Sequence, residues 1–122
     1  MTLEEKVDFL TKVVIEHCPI SRMALIYNLD PNQVENIYQI FDKYFKKCEK
    51  NEDFTFMDVE NDFRPMGIDY QSLKGIISAF YEAGKYEGVI WQYLYTNYKI
   101  YGNVSSEYIN IFNTLQSKFN HD

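Results

Sequence analysis

Four side chains of this 122-residue chain have the chemistry to ligate a metal or to act as a nucleophile with its base: His17, Cys18, Cys48 and His121. A protein metal site takes three or four convergent ligands, and neither a C-x-x-C nor an H-x-x-x-H spacing occurs. His17 and Cys18 are neighbours on a helical segment, so they point about 100° apart and cannot clamp one ion together. A reactive thiolate needs an electropositive, partly exposed setting. Both cysteines instead fall on apolar stripes of predicted helices and read as small buried hydrophobes. His121 is the penultimate residue, where chain ends fray. Carboxylates are plentiful, and Asp58 and Asp62 stand at i, i+4, but the segment lacks the apolar surroundings that would raise one of them for general-acid work. Neither an EF-hand frame nor a glycine-rich phosphate loop occurs. The expectation is a protein that is not an enzyme and holds no metal and no cofactor.

Charge and aromatic content carry more of the information. The net charge is −6, and Glu49 to Asp62 alone contributes −5, from six acids (Glu49, Glu52, Asp53, Asp58, Glu60 and Asp62) against Lys50. A negative field repels phosphate backbones, which disfavours nucleic acid as a partner. The stretch reads as a solvated surface or as an acidic patch for docking a basic protein. Aromatic residues make up 17% of the chain, with eleven Tyr, nine Phe and one Trp. No apolar run reaches the length of a signal segment or a membrane span, so a soluble, cytoplasmic protein is expected. Two cysteines are too few for a disulfide scaffold.

A helix-turn-helix is the other arrangement with functional content. A short helix from Ser21 to Tyr27, a turn over Asn28-Leu29-Asp30 and a long helix from Pro31 have suitable lengths. The outward positions at the start of the second helix would be Asn32, Gln33, Glu35, Asn36 and Gln39. Asn and Gln can read adenine, but Glu35 opposes DNA, and no Lys or Arg follows until Lys43. A DNA-binding regulator using residues 21–47 is therefore the alternative reading.

These residues are positioned by helices. Thr2 and Glu5 read as a capping box opening a first helix whose stripe is Leu3, Val7, Leu10, Val14 and Cys18, ended by Pro19. Ser21 is expected to cap the short helix and Asn28 to stop it. Asp30-Pro31-Asn32-Gln33 is a strong start signal, with Asp30 as N-cap and Pro31 at the first helical position. Val34, Ile37, Tyr38, Phe41, Tyr44, Phe45 and Cys48 follow at helical spacing. Thr55 with Asp58 opens a short helix that Pro65 closes. Asp69 caps a helix with the face Leu73, Ile76, Ile77 and Phe80, which Gly84 ends. Ser105 caps a last helix with the face Tyr108, Phe112, Leu115 and Phe119. No stretch alternates with period two. The prediction is a single all-α domain over residues 1–122, a bundle of about five to seven helices with no sheet. Ile37, Phe41, Phe45, Leu73, Ile77 and Phe80 are its expected core.

The helix between Tyr86 and Tyr101 stands out because two stripes cover roughly two-thirds of its circumference. Val89, Ile90, Tyr93, Leu94 and Tyr101 form one stripe; Trp91, Tyr95 and Tyr98 form the other. Such a helix is either central or shared with a partner. Ile90, Leu94 and Tyr101 are expected to face the core. Trp91, Tyr95 and Tyr98 are expected to lie opposite, covered by the C-terminal helix or by another molecule.

Three segments together resemble a known family. They are Ala24-Leu25-Ile26-Tyr27-Asn28-Leu29-Asp30-Pro31-Asn32-Gln33-Val34, then Phe54-Thr55-Phe56, then Ile76-Ile77-Ser78-Ala79-Phe80-Tyr81-Glu82-Ala83-Gly84-Lys85-Tyr86. The pattern resembles the YhaI-like family of small bacterial helical proteins of unknown function, over about residues 1–95. The resemblance implies an all-α fold and a homo-oligomer and carries over no catalytic residues. The C-terminal helix, within residues 103–122, extends past the family-like part. The functional expectation is a non-catalytic protein-interaction module, of which an acidic inhibitor or immunity-type protein is one form. Its partner would be a second copy or a basic protein, reached through Trp91, Tyr95 and Tyr98 and the acids Glu52, Asp53, Asp58, Glu60 and Asp62.

Overall fold

A computed structural model describes residues 2–6 and 19–119. The expected stripe Val7, Leu10, Val14 and Cys18, together with His17 and His121, lies outside the described residues. Within 2–6 the Thr2 hydroxyl accepts the Glu5 amide at 3.1 Å, as a capping residue should.

All regular structure among the described residues is helical. Helix α1 runs Pro19–Ile26, α2 Pro31–Glu49, α3 Phe56–Phe63, α4 Tyr70–Glu82, α5 Glu87–Tyr101 and α6 Ile109–Phe119. Short 3-10 turns cover Arg64–Met66 and Ser106–Tyr108.

Local chemistry explains most of these boundaries. The α2 start is a complete capping box: Asp30 Oδ1 accepts the Gln33 amide at 2.8 Å and Gln33 Oε1 accepts the Asp30 amide at 2.9 Å. Asp58 Oδ2 accepts the Thr55 amide at 2.9 Å at the head of α3, and Asp69 Oδ1 accepts the Ser72 amide at 2.8 Å at the head of α4. That amide bond holds the Asp69 carboxyl below its ordinary range. Asn28 takes a positive φ of 56° just past α1, as expected of a stop residue. One cap differs from expectation. The described α1 opens on Pro19 itself, and Ser21 sits inside it as a buried residue rather than at its cap.

Helix α5 is central. It packs against α2, α3, α4 and α6, while α1 covers α4. The buried apolar residues form one cluster reaching from Ile20 to Leu115. Ile37, Phe41, Leu73, Ile77 and Phe80 lie in it as expected, but Phe45 is 45% exposed. Tyr44, one residue earlier, takes the core position because Asp62 accepts its hydroxyl and its ring meets Phe54 at 4.7 Å. Phe45 is left at the edge, touching Tyr86 edge-on at 6.2 Å.

Tyr101 needs a second correction. Ile90 and Leu94 face the core, but Tyr101 is 63% exposed. From Tyr98 to Tyr101 every residue of α5 is exposed, so this helix is enclosed only until its last turn. Its core-facing stripe outruns the helices that cover it.

Candidate functional site: the end of helix α5 and the acidic loop beside it

Trp91, Tyr95 and Tyr98 are one connected group, as their spacing requires. Trp91 stacks on Tyr95 at 5.2 Å, and Phe112 of α6 meets Trp91 at 5.3 Å and Tyr98 at 5.2 Å. The C-terminal helix thus covers Trp91, which is buried; Tyr95 is half-buried and Tyr98 is 41% exposed. Lys99 lies over the Tyr95 ring.

The five acids do not form one surface. Glu52, Asp53 and Asp58 are exposed, whereas Glu60 and Asp62 are half-buried, against the expectation that all five would be mostly exposed. The reason is a tyrosine in each case. Glu60 Oε2 accepts the hydroxyl of the buried Tyr93 at 2.7 Å. Asp62 Oδ2 accepts the Tyr44 hydroxyl at 2.5 Å and Lys43 Nζ at 2.8 Å. Burial pushes the Asp62 carboxyl up, but the Lys43 and Tyr44 hydrogen bonds and the charges of Lys43 and Lys47 outweigh it, and the net shift is downward. A carboxyl held ionised in this way suits structural pairing better than general-acid work. Asp58 and Asp62 both line a hollow of about 250 Å³ with Lys43 and Lys47, yet each is already engaged, Asp58 with Thr55 and Asp62 with Tyr44 and Lys43.

The loop before α3 is pinned to α5. Gln92 Nε2 donates to the Phe54 carbonyl at 3.1 Å, and the Phe56 amide donates to Thr96 Oγ1 at 2.9 Å. These two polar residues were not singled out in the sequence, although their i, i+4 spacing between apolar stripes marks a third face of the helix. Their bonds fix Phe54 and Phe56, which follow the exposed Glu52 and Asp53, to the flank of α5.

On the other side of Phe56 the chain forms a groove of about 620 Å³ between α3, the end of α5 and the turn after it. Phe56, Glu60, Tyr70 and Tyr101 line it. The Phe56 and Tyr101 rings meet at 5.7 Å and the Phe56 and Tyr93 rings at 6.3 Å. A second hollow of about 410 Å³ shares Glu60 and Tyr70 with it. Beneath both, Tyr108 meets Tyr93 edge-on at 6.2 Å. The Tyr108 hydroxyl is buried and completes no hydrogen bond among the described residues.

In the helix pair α1–α2, Gln33 is committed to its capping bond with Asp30, which removes it from the set facing outward. Lys43 and Lys47 pair with Asp62 and Glu52, and Arg22 pairs with Glu82. Cys48 is half-buried, and burial pushes its thiol up, away from reactive thiolate character. No His, Cys, Asp or Glu cluster of metal-binding geometry occurs among the described residues, and no helix among them is long and apolar enough to cross a membrane. No protein-family model, curated protein or solved structure matches the chain.

Proposed function

We propose that this protein is a non-catalytic binding module that works by covering a second, basic protein. One juxtaposition carries the reading. Gln92, Thr96 and Ile100 fall on a single stripe of α5 at i, i+4, i+8. The first two hold the loop that bears Glu52 and Asp53, and Ile100, next along the stripe, is 55% exposed. Tyr98 is also exposed, but it lies two residues from Ile100 and so points to nearly the opposite side of the helix. An exposed apolar side chain on the stripe that anchors an acidic loop fits a basic partner, because apolar burial supplies affinity while acids steer approach. An inhibitor or immunity-type protein is one form of such a module. A second copy of the chain is the other partner this surface suits, since a two-fold contact would pair Ile100 with itself.

The test is capture from extracts of the native host by the wild type and by the variant Ile100→Asp. A basic protein should be retained by the wild type and lost by the variant, with circular dichroism unchanged. Sedimentation of the wild type at micromolar concentration separates the self-association form. Equal retention by both proteins, or nucleic acid lost steeply with salt, would overturn the proposal.

A further inference from the structure

The groove beside Tyr101 shares no lining residue with the Gln92–Thr96–Ile100 stripe and has its own chemistry. Its lining contains one carboxylate, Glu60, and no Lys or Arg. Glu60 uses Oε2 for the Tyr93 hydroxyl; its second oxygen has no hydrogen-bond or ion-pair partner among the described residues. Three aromatic residues line the same groove: Phe56, Tyr70 and Tyr101. Phe56 and Tyr101 form a tilted corner with an interplanar angle of 57°. Tyr70 already accepts a cation on its ring, with Lys74 Nζ at 4.5 Å from the centroid. The Lys74 ammonium is itself matched by Glu107 at 3.4 Å, and Arg64, which lines the adjoining hollow with Glu60, forms no ion pair with it among the described residues.

We propose that this groove is a binding site for a primary alkylammonium group. The cation lies against the exposed Tyr101 ring, whose face carries negative quadrupole density, with the buried Phe56 ring packed behind it, and Glu60 is its counterion. Asn97, Asn103 and Ser105 at the rim offer carbonyl and hydroxyl acceptors for the remaining ammonium protons. A neutral alcohol of the same length would gain the ring contacts but neither the counterion nor the cation–π attraction. Two sources supply this chemistry, a free amine and a lysine side chain of a protein, and the groove itself recognises what they share.

The experiment is an NMR titration of aromatic-labelled, full-length protein near neutral pH with n-pentylammonium, using 1-pentanol as the neutral control. The Phe56, Tyr70 and Tyr101 signals should shift saturably with the ammonium, and the alcohol should bind more weakly by about tenfold. Glu60→Gln keeps an acceptor for Tyr93 and should bring ammonium binding down to the level of the alcohol. Tyr101→Ala, a change at an exposed side chain, should weaken ammonium binding several-fold with the helical spectrum unchanged. Titrations with 1,5-diaminopentane and with N-acetyl-lysine methylamide then assign the source: tighter binding of the diamine indicates a free amine, and equal or tighter binding of the lysine derivative indicates a protein side chain. Alcohol binding as tight as ammonium binding, or a folded Glu60→Gln protein that titrates like the wild type, overturns the proposal. Failure of the protein-capture experiment leaves this result untouched, because the probe binds without a partner.

Discussion

Phe41 meets three rings at once: Phe80 at 4.5 Å, Tyr86 at 5.2 Å and Phe63 at 5.8 Å. These rings come from three different parts of the chain, so Phe41 ties α2 to α3, α4 and the start of α5. Replacing it with Ala removes those contacts and leaves a cavity that aromatic neighbours fill poorly. Phe41→Ala should cost about 3–5 kcal/mol, measured from the urea unfolding midpoint; an unchanged midpoint would mean that α2 packs in another register. Tyr86 shows a different use of one residue. Its φ of 59° is in the left-handed region, which costs a non-glycine residue of order 1 kcal/mol or more. Its ring contacts with Phe41, Phe80 and Tyr38 and its hydroxyl bond to Asp42 hold it there.

At the scale of elements, the strongest local signals sit at helix starts. Asp30, Pro31 and Gln33 were readable as a start because capping is decided by residues three apart, and the structure shows both reciprocal bonds. Asp30→Ala should lower stability by about 1 kcal/mol, seen as a lower thermal midpoint by circular dichroism, with Asp30→Asn retaining most of it. A midpoint shift absent in Asp30→Ala would mean that the cap is satisfied by water at no net cost. The end of α5 behaves differently. Gly102, with φ of 75°, ends the helix as its sequence suggested, but nothing local said that Tyr101 would lie outside the core. Whether the last turn of a helix is covered depends on how far its neighbours reach, and those neighbours lie far away along the chain.

Across the whole molecule, burial acts on four tyrosines in the same direction. Tyr44, Tyr86, Tyr93 and Tyr108 are all pushed well above their ordinary value of 10.0, by burial first and by nearby carboxylates or phenols second. Their folded values are raised, so the unfolded chain releases these protons first as pH increases. The stability linked to them is intact below about pH 10 and falls as pH rises beyond it. Thermal midpoints should therefore be nearly flat between about pH 7 and about pH 9 and drop steeply by about pH 11. Tyr93→Phe should make that alkaline drop shallower, although it leaves Glu60 without its hydroxyl partner. A drop as steep in the variant as in the wild type would assign the alkaline loss to other groups.

Local sequence signals were enough for the helical class, the capped starts of α2, α3 and α4, the stop residues Asn28, Gly84 and Gly102, and most of the core. Those features follow from 3.6-residue periodicity and from hydrogen bonds between residues a few positions apart. The sequence also marked α5 as unusual and placed Trp91, Tyr95 and Tyr98 on one face. Only the tertiary structure decided that Phe112 covers Trp91, that Phe45 and Tyr101 lie outside, and that Glu60 and Asp62 leave the solvated acidic stretch to hold the Tyr93 and Tyr44 hydroxyls. The physical reason is separation: Tyr93 stands 33 residues from Glu60 and Tyr44 stands 18 from Asp62. A carboxylate on an acidic stretch carries no local sign of a phenol that only the packing of distant helices brings to it.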